Sequence, residues 1–338
     1  MLLIRCHDTG KKRIQGAYMK DNERRQHGRE AAQPTKIPRA GWRDILWRMR
    51  RELASDDITM LAAGVAFYAL LALFPAIAAL IALWALAFDP EQMAGHIGDL
   101  VRFTPPGAAS IIRQQANDVG SNTDAGLSVT AILSLLIAIF IASKGIRGLI
   151  KGLNVVYGEA ERRGFLRRSI TVATLTVGLL IMTLVTIAFI TLFPLVIQHL
   201  GLARPWVTVI GLIRWPVLLL VMICTTAVLY RFGPYRRSPR WEWVSPGTLL
   251  ATVLWVLGSL GLSAYMRHFP VFNQVYGSLG AVVGLLLWFW LSAFFVLLGG
   301  KLNATVEHQT RHDTTVGSSR PMGKRGAYVA DTLGEEHP

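Results

Sequence analysis

Six long apolar stretches constrain this chain more than any other feature: Met60–Phe88, Leu127–Ser143, Ile170–Ile197, Trp206–Tyr230, Val244–Met266 and Ser278–Leu298. Each is close to the ~20 apolar residues that carry a helix across a bilayer core. Five contain no charged residue, and the exception holds only Arg214. The 338-residue chain is 52% hydrophobic and only 17% charged. Such a chain is an integral membrane protein by composition. The expected fold class is all-α: a polytopic membrane protein with six transmembrane helices.

The loops set the orientation. Thirty of the Lys and Arg residues fall in the N-terminal segment (1–59), the 144–169 loop, the loop between spans four and five, and the C-terminal segment. Only Arg102, Arg113, Arg204 and Arg267 fall on the other side. Positive loops stay in the cytoplasm. Both termini are therefore expected inside, and an even number of spans agrees, since it puts both ends on one side. The same pattern accounts for the net charge of +14 without a nucleic-acid partner. Basic loops beside apolar spans also contact anionic lipids, at about 1 kcal/mol per cation near the surface. No nucleic-acid module is present in the sequence.

Three regions follow. Residues 1–40 are polar and basic and read as a disordered tail. Met19 offers a second start site to Met1, and no secretory signal precedes the first span, which is read as an uncleaved anchor. Residues 41–308 form the membrane domain. Its first segment, 41–56, places Trp42, Ile45, Leu46, Met49 and Leu53 at helical spacing, with arginines between them. That pattern predicts an amphipathic helix lying on the membrane surface. The outer loop 89–126 is expected to hold two short amphipathic helices. Residues 309–338 read as a disordered tail. Cys6 and Cys224 lie in different environments and form no disulfide framework.

Candidate site residues are few. Lys144, Arg147, Lys151 and Asn154 follow the second span at spacings of 3, 4 and 3, so a continuing helix sets them on one face. Gly145, Gly148 and Gly152 thin the neighbouring surface. Three cations in a stripe at the membrane boundary suit an anionic headgroup or phosphate. The competing reading is a topology anchor with snorkelling stems. Arg214 lies about 24 Å above the inner edge, counted from Tyr230, within snorkelling reach of the outer surface. Pro75 in the first span, and Tyr265 and Tyr276 beside the outer turn between spans five and six, are candidate gate or cavity residues. For the tyrosines, an interfacial aromatic belt is the alternative. Asp and Glu are missing from the six stretches. His308 and His312 are four apart, but no third ligand accompanies them, so neither metal nor cofactor is expected. Gly277-Ser278-Leu279-Gly280 is not a nucleophile elbow.

From Trp42 to His308 the chain resembles the YihY/BrkB family of bacterial inner-membrane proteins, formerly mislabelled ribonuclease BN. The residues that carry the resemblance are Ala63 to Pro75, Arg147 to Tyr157, Arg214-Trp215-Pro216 and Leu229 to Pro234. Ser245-Pro246-Gly247, Tyr276 to Gly280 and Leu298 to Ala304 complete it. One departure is Lys301, where the family usually has Glu. The resemblance implies a multi-pass protein of the bacterial cytoplasmic membrane that transports or flips an anionic lipid or another amphipathic envelope component. The alternative is a non-transporting scaffold or a factor in envelope integrity or virulence. The implied partners are membrane lipids, anionic phospholipid above all; no enzyme activity is expected, and the oligomeric state stays open.

Overall fold

A computed structural model describes residues 27–53, 55–87, 124–199, 204–268 and 279–336. After a 3-10 turn at Pro34–Lys36 come α1 (Arg39–Leu53), α2 (Ile58–Ala87), α3 (Asp124–Val156) and α4 (Phe165–His199). Then follow α5 (Arg204–Phe232), α6 (Trp241–His268), α7 (Leu279–Glu307) and the short α8 (Tyr328–Asp331). One isolated antiparallel bridge, Pro239 to Thr315, is the only extended pairing among the described residues. Five helices, α2, α3, α4, α6 and α7, contain stretches long and apolar enough to cross a membrane. The sequence predicts six. The remaining helix, α5, is 29 residues long, but its described apolar part, Pro216–Phe232, is shorter.

The pivot is α7, which packs on α1, α2, α3 and α6. The chain of contacts α3–α4–α5–α6 closes back onto α7. Small residues make these approaches possible, as packing in lipid requires. Ala62 and Ala66 of α2 are buried. The face of α3 that carries Gly145 and Gly148 meets Tyr68 and Val65 of α2, and Gly152 sits against Leu297 of α7. The α6–α7 crossing is tighter still. A methyl group on Gly247 overlaps the carbonyl oxygen of Gly299, and one on Gly299 overlaps the Gly247 carbonyl oxygen and the Tyr230 hydroxyl. Further along the same pair, Trp255 donates to Ser292 at 3.0 Å and Trp288 donates to Ser259 at 3.1 Å. Each indole thereby finds an acceptor that lipid cannot supply.

The end of α3 shows how the sequence stops a helix. Gly158 has φ +67°, a conformation that glycine adopts without penalty. Its N–H bonds the Val155 carbonyl at 3.0 Å, and the Glu159 N–H bonds the Asn154 carbonyl at 2.8 Å. That pairing is the Schellman closure. Helix α2 runs through Pro75 without a break, although proline removes one helical hydrogen bond.

The buried core gathers at the end that carries α1 and the C-terminal segment. Leu149, Leu153, Tyr157, Tyr230, Val244, Leu297 and Val329 form one cluster there. Ile45, Met49, Trp243, Leu302 and Val306 form a second, under α1.

Three expectations from the sequence need correction. Residues 309–336 are ordered, not a disordered tail. Gln309, Thr310, Asp313, Thr314, Thr315 and Arg325 are buried there. Arg325 alone donates to the carbonyls of Arg311, His312, Arg320 and Ala330, at 2.6 to 3.1 Å. A polar composition looked unable to form a core, but its side chains satisfy the backbone instead. Residues 27–40 are likewise ordered: Arg29 is buried and donates to the Gly334 carbonyl at 2.6 Å. The rest of the 1–40 tail, together with residues 89–123 of the outer loop, lies outside the described residues. Helix α1 forms where expected, but it does not simply present an apolar face. Leu46 is 57% exposed, while Asp44 and Arg48 are buried against the C-terminal segment.

Candidate functional site

The α3 stripe is helical throughout, because α3 continues to Val156. Lys144 Nζ lies over the Phe140 ring, 4.9 Å from its centroid. Arg147 is half-buried, and its Nε is shielded from water without an acceptor among the described residues. Lys151 is exposed at the rim of a hollow of about 270 Å3, shared with Asn154, Glu159, Glu161 and Arg168. None of the three cations has a carboxylate within 4.0 Å among the described residues.

Asn154 is occupied differently. Its Nδ2 donates to Glu161 at 3.1 Å, and its Oδ1 accepts from the Tyr235 N–H at 2.7 Å. It ties the α3–α4 turn to the α5–α6 loop, so its amide is committed to protein groups. Arg214 lies within α5, but its side chain is outside the described residues. Tyr276 also lies outside them. Tyr265 is 42% exposed near the far end of α6, and Pro75 is in α2. The grouping of the three candidate gate residues therefore lies outside the described residues.

Several other cations at this end are paired with carboxylates, and these pairs were not anticipated. Arg236 donates to both oxygens of Glu307 at 3.0 and 2.6 Å, with both side chains fully buried. Thr314 donates to the same carboxylate at 2.8 Å. The guanidinium also sits over the Tyr157 ring, 5.0 Å from its centroid. Burial disfavours the charged guanidinium, but Glu307 outweighs it and the Arg236 pKa rises. Lys301, where relatives were expected to carry an acid, pairs with Glu52 at 2.6 Å and Asp56 at 2.7 Å. Arg48 contacts Gln309 and donates to the Glu335 carbonyl at 2.5 Å. Burial, with Arg29 nearby, lowers its pKa to about 10, so it stays charged at neutral pH.

One signal for this network was legible. Gly299, Asn303 and Glu307 are spaced by four and share one face of α7. Asn303 accepts from the Gly247 N–H at 2.7 Å. Four of the short motifs that carry the family resemblance, Arg147 to Tyr157, Leu229 to Pro234, Ser245-Pro246-Gly247 and Leu298 to Ala304, thus meet at one node, built from Tyr157, Tyr230, Gly247, Gly299 and Asn303. Their role there is close packing, with Asn303 Oδ1 and the Tyr230 hydroxyl hydrogen-bonded, while the Tyr157 hydroxyl and Asn303 Nδ2 are buried without a partner among the described residues.

His308 follows this node. Its Nε2 is 2.8 Å from the Thr332 hydroxyl. Burial, then Arg48, lowers its pKa from 6.5 to about 4. Between those values the unfolded segment binds more protons than the docked one. Docking is thus fully supported above pH 6.5 and weakens as pH falls toward 4. We expect faster hydrogen exchange in residues 326–336 at pH 5 than at pH 7.5, after correction for intrinsic rates. Protection that is independent of pH contradicts this. Among the described residues, no group of three or more His, Cys, Asp and Glu converges as metal ligands do.

The comparisons with known proteins include relatives described as membrane proteins. A family model described as Virulence factor BrkB matches residues 49–322. The ribonuclease-like protein YfkH of Bacillus subtilis (strain 168) is 28% identical over 257 residues, which is 74% of this chain and 90% of that protein. UPF0761 membrane protein Smlt0865 of Stenotrophomonas maltophilia (strain K279a) is 27% identical over 272 residues. That covers 78% of this chain, but the chain spans only 60% of the length of this relative. A UPF0761 membrane protein of Pseudoalteromonas atlantica is 27% identical over 260 residues, 75% of this chain and 82% of that one. No solved structure matches.

Proposed function

This chain belongs to the BrkB family, and on that footing we propose that it is a six-span protein of the bacterial inner membrane that binds and moves an anionic lipid or related amphipathic envelope component. Both termini face the cytoplasm in this reading. The observation that carries it is the α3 stripe. Lys144, Arg147 and Lys151 have no carboxylate partner among the described residues, whereas the neighbouring Arg236, Lys301 and Arg163 each have one. An unpaired, half-buried guanidinium at the headgroup level suits a phosphate, which Arg grips in a bidentate manner.

The topology rests on the charge split, with α5 as the sixth span. Reporter fusions after Asp89, Gly201 and Phe269 are expected to read external, and those after Gly158 and Ser238 internal. A reversed pair refutes the orientation. The transport reading is tested in liposomes containing labelled anionic phospholipid. Wild type is expected to speed movement between leaflets, and Arg147→Ala to lose most of that gain. Equal rates with and without protein refute transport.

One observation favours the alternative, a non-transporting scaffold: the buried Arg236–Glu307 pair and the ordered C-terminal segment held to it make a rigid base. We do not propose catalysis. Purified protein is expected to leave RNA intact, and cleavage that is lost in His308→Ala/His312→Ala would overturn that view.

A further inference from the structure

Two apolar grooves flank α5 at its end nearest the basic loops. One, of about 740 Å3, runs between α4 and α5 past Leu175, Gly178, Met182 and Leu229. The other, of about 550 Å3, lies between α5 and α6 past Ala227, Trp241 and Leu249. Both fall in the size range of ligand sites. Cys224 and Val228 line both grooves and form the ridge that divides them.

Most hydroxyls of the groove walls are already used, Thr174 in the α4–α5 groove excepted. Ser245 and Thr248 in the α5–α6 groove donate back to the Trp241 and Val244 carbonyls at 3.0 and 2.8 Å. Thr171 and Thr225 in the α4–α5 groove do the same, to Arg167 and Val221. Below the ridge the chemistry changes. Spacings of four and three carry the stripe from Cys224 through Val228 to Arg231. The Arg231 guanidinium lies 4.2 Å from the Trp241 ring centroid and 5.6 Å from that of Phe232. Its Nε and Nη1 are shielded from water and have no acceptor among the described residues. A shielded cationic donor without an acceptor is costly, so an anion at this position is favoured.

We infer that a diacyl phospholipid straddles α5, with one acyl chain in each groove and its phosphate on Arg231. The inference rests on the proposed lipid-handling role and cytoplasmic orientation, and assigns a second site apart from the α3 stripe. Each part of the lipid meets matching chemistry: two hydrocarbon chains, two apolar grooves, one phosphate, and one guanidinium stacked on Trp241 with two N–H groups lacking an acceptor. Trp241, 51% exposed, supplies the amphipathic ring that settles at a headgroup boundary.

The test uses Cys224 as a reporter. In a Cys6→Ser background it is the only thiol in the chain, and it is exposed. Full-length protein in detergent is labelled with an apolar maleimide, in the presence of dioleoylphosphatidylglycerol or of dioleoylglycerol, which lacks the phosphate. The phospholipid is expected to slow labelling about fivefold, and the glycerolipid less than about twofold. Arg231→Gln should remove the difference, and Arg147→Ala should keep it. Should Arg231→Gln fail to fold, a photoreactive benzoylphenylalanine in place of Leu249 gives an independent reading, by capturing the phospholipid and not the glycerolipid. Equal labelling with both lipids overturns the inference. So does folded Arg231→Gln protected like wild type, or capture of both lipids alike. If Arg147→Ala abolishes transport while Cys224 is never protected, the proposed function survives and this second site alone fails.

Discussion

Glu307→Ala is expected to destabilise the folded protein by about 3–5 kcal/mol, because it strands Arg236 as a buried charge. Both side chains of the pair have no exposed surface. Removal of Glu307 also orphans the Thr314 hydroxyl that donates to it. The damage should spread into the C-terminal segment, since Thr314 lies in it and the Arg240 N–H bonds the Thr314 carbonyl at 2.9 Å. Replacing both partners, as in Arg236→Met/Glu307→Met, should cost less than either single change, since no unpaired charge is left behind. Thermal unfolding in detergent, followed by tryptophan fluorescence, measures all three variants. A Glu307→Ala protein within about 1 kcal/mol of wild type would show that the pair is not buried as described.

A second large effect is expected at the α6–α7 crossing. Gly299→Ala places a methyl group onto the Gly247 carbonyl oxygen and the Tyr230 hydroxyl, with Ala251 Cβ also at 2.9 Å. Backbone cannot swing aside as a flexible side chain can. The helices must separate, and the loss should reach or exceed about 3 kcal/mol. Asn303 and Tyr230, whose hydroxyl donates to the Val296 carbonyl at 2.7 Å, lose their geometry at the same time. Gly64→Ala is the control, because nothing lies within 4 Å of the added carbon and alanine favours helix. The expected result is a monodisperse Gly64→Ala protein and an aggregated or poorly recovered Gly299→Ala protein by size-exclusion chromatography in detergent. Equal recovery contradicts the packing described for α6 and α7.

What the sequence revealed and what it hid divide along physical lines. Apolar runs report helices in lipid directly, so α2, α4, α6 and α7 were legible from composition alone, and the glycines of α3 pointed to close packing. Hydropathy says nothing about polar side chains that satisfy one another at a distance. Arg236 and Glu307 are 71 residues apart, Arg48 and Gln309 are 261 apart, and no local period links either pair. Residues 309–336 looked like a disordered tail for the same reason. Their order comes largely from side chain to backbone bonds such as those of Arg325, with Val329 and Ala330 buried beside them, and no apolar periodicity announces it. Asn154 shows the limit of reading a helix face. It shares the stripe with Lys144, Arg147 and Lys151, yet its amide is held by Glu161 and Tyr235.

The most direct test of the central claim is native mass spectrometry of the purified full chain, reading the anionic phospholipid that stays bound. Wild type should retain it. Arg147→Ala should lose most of it, and so should Arg147→Lys, because an ammonium keeps the charge but not the planar two-donor grip. Reporter fusions on the same variants check that topology is unchanged. If both variants keep the lipid as wild type does, with the same topology, the α3 stripe is only a membrane anchor and the lipid-handling account is contradicted.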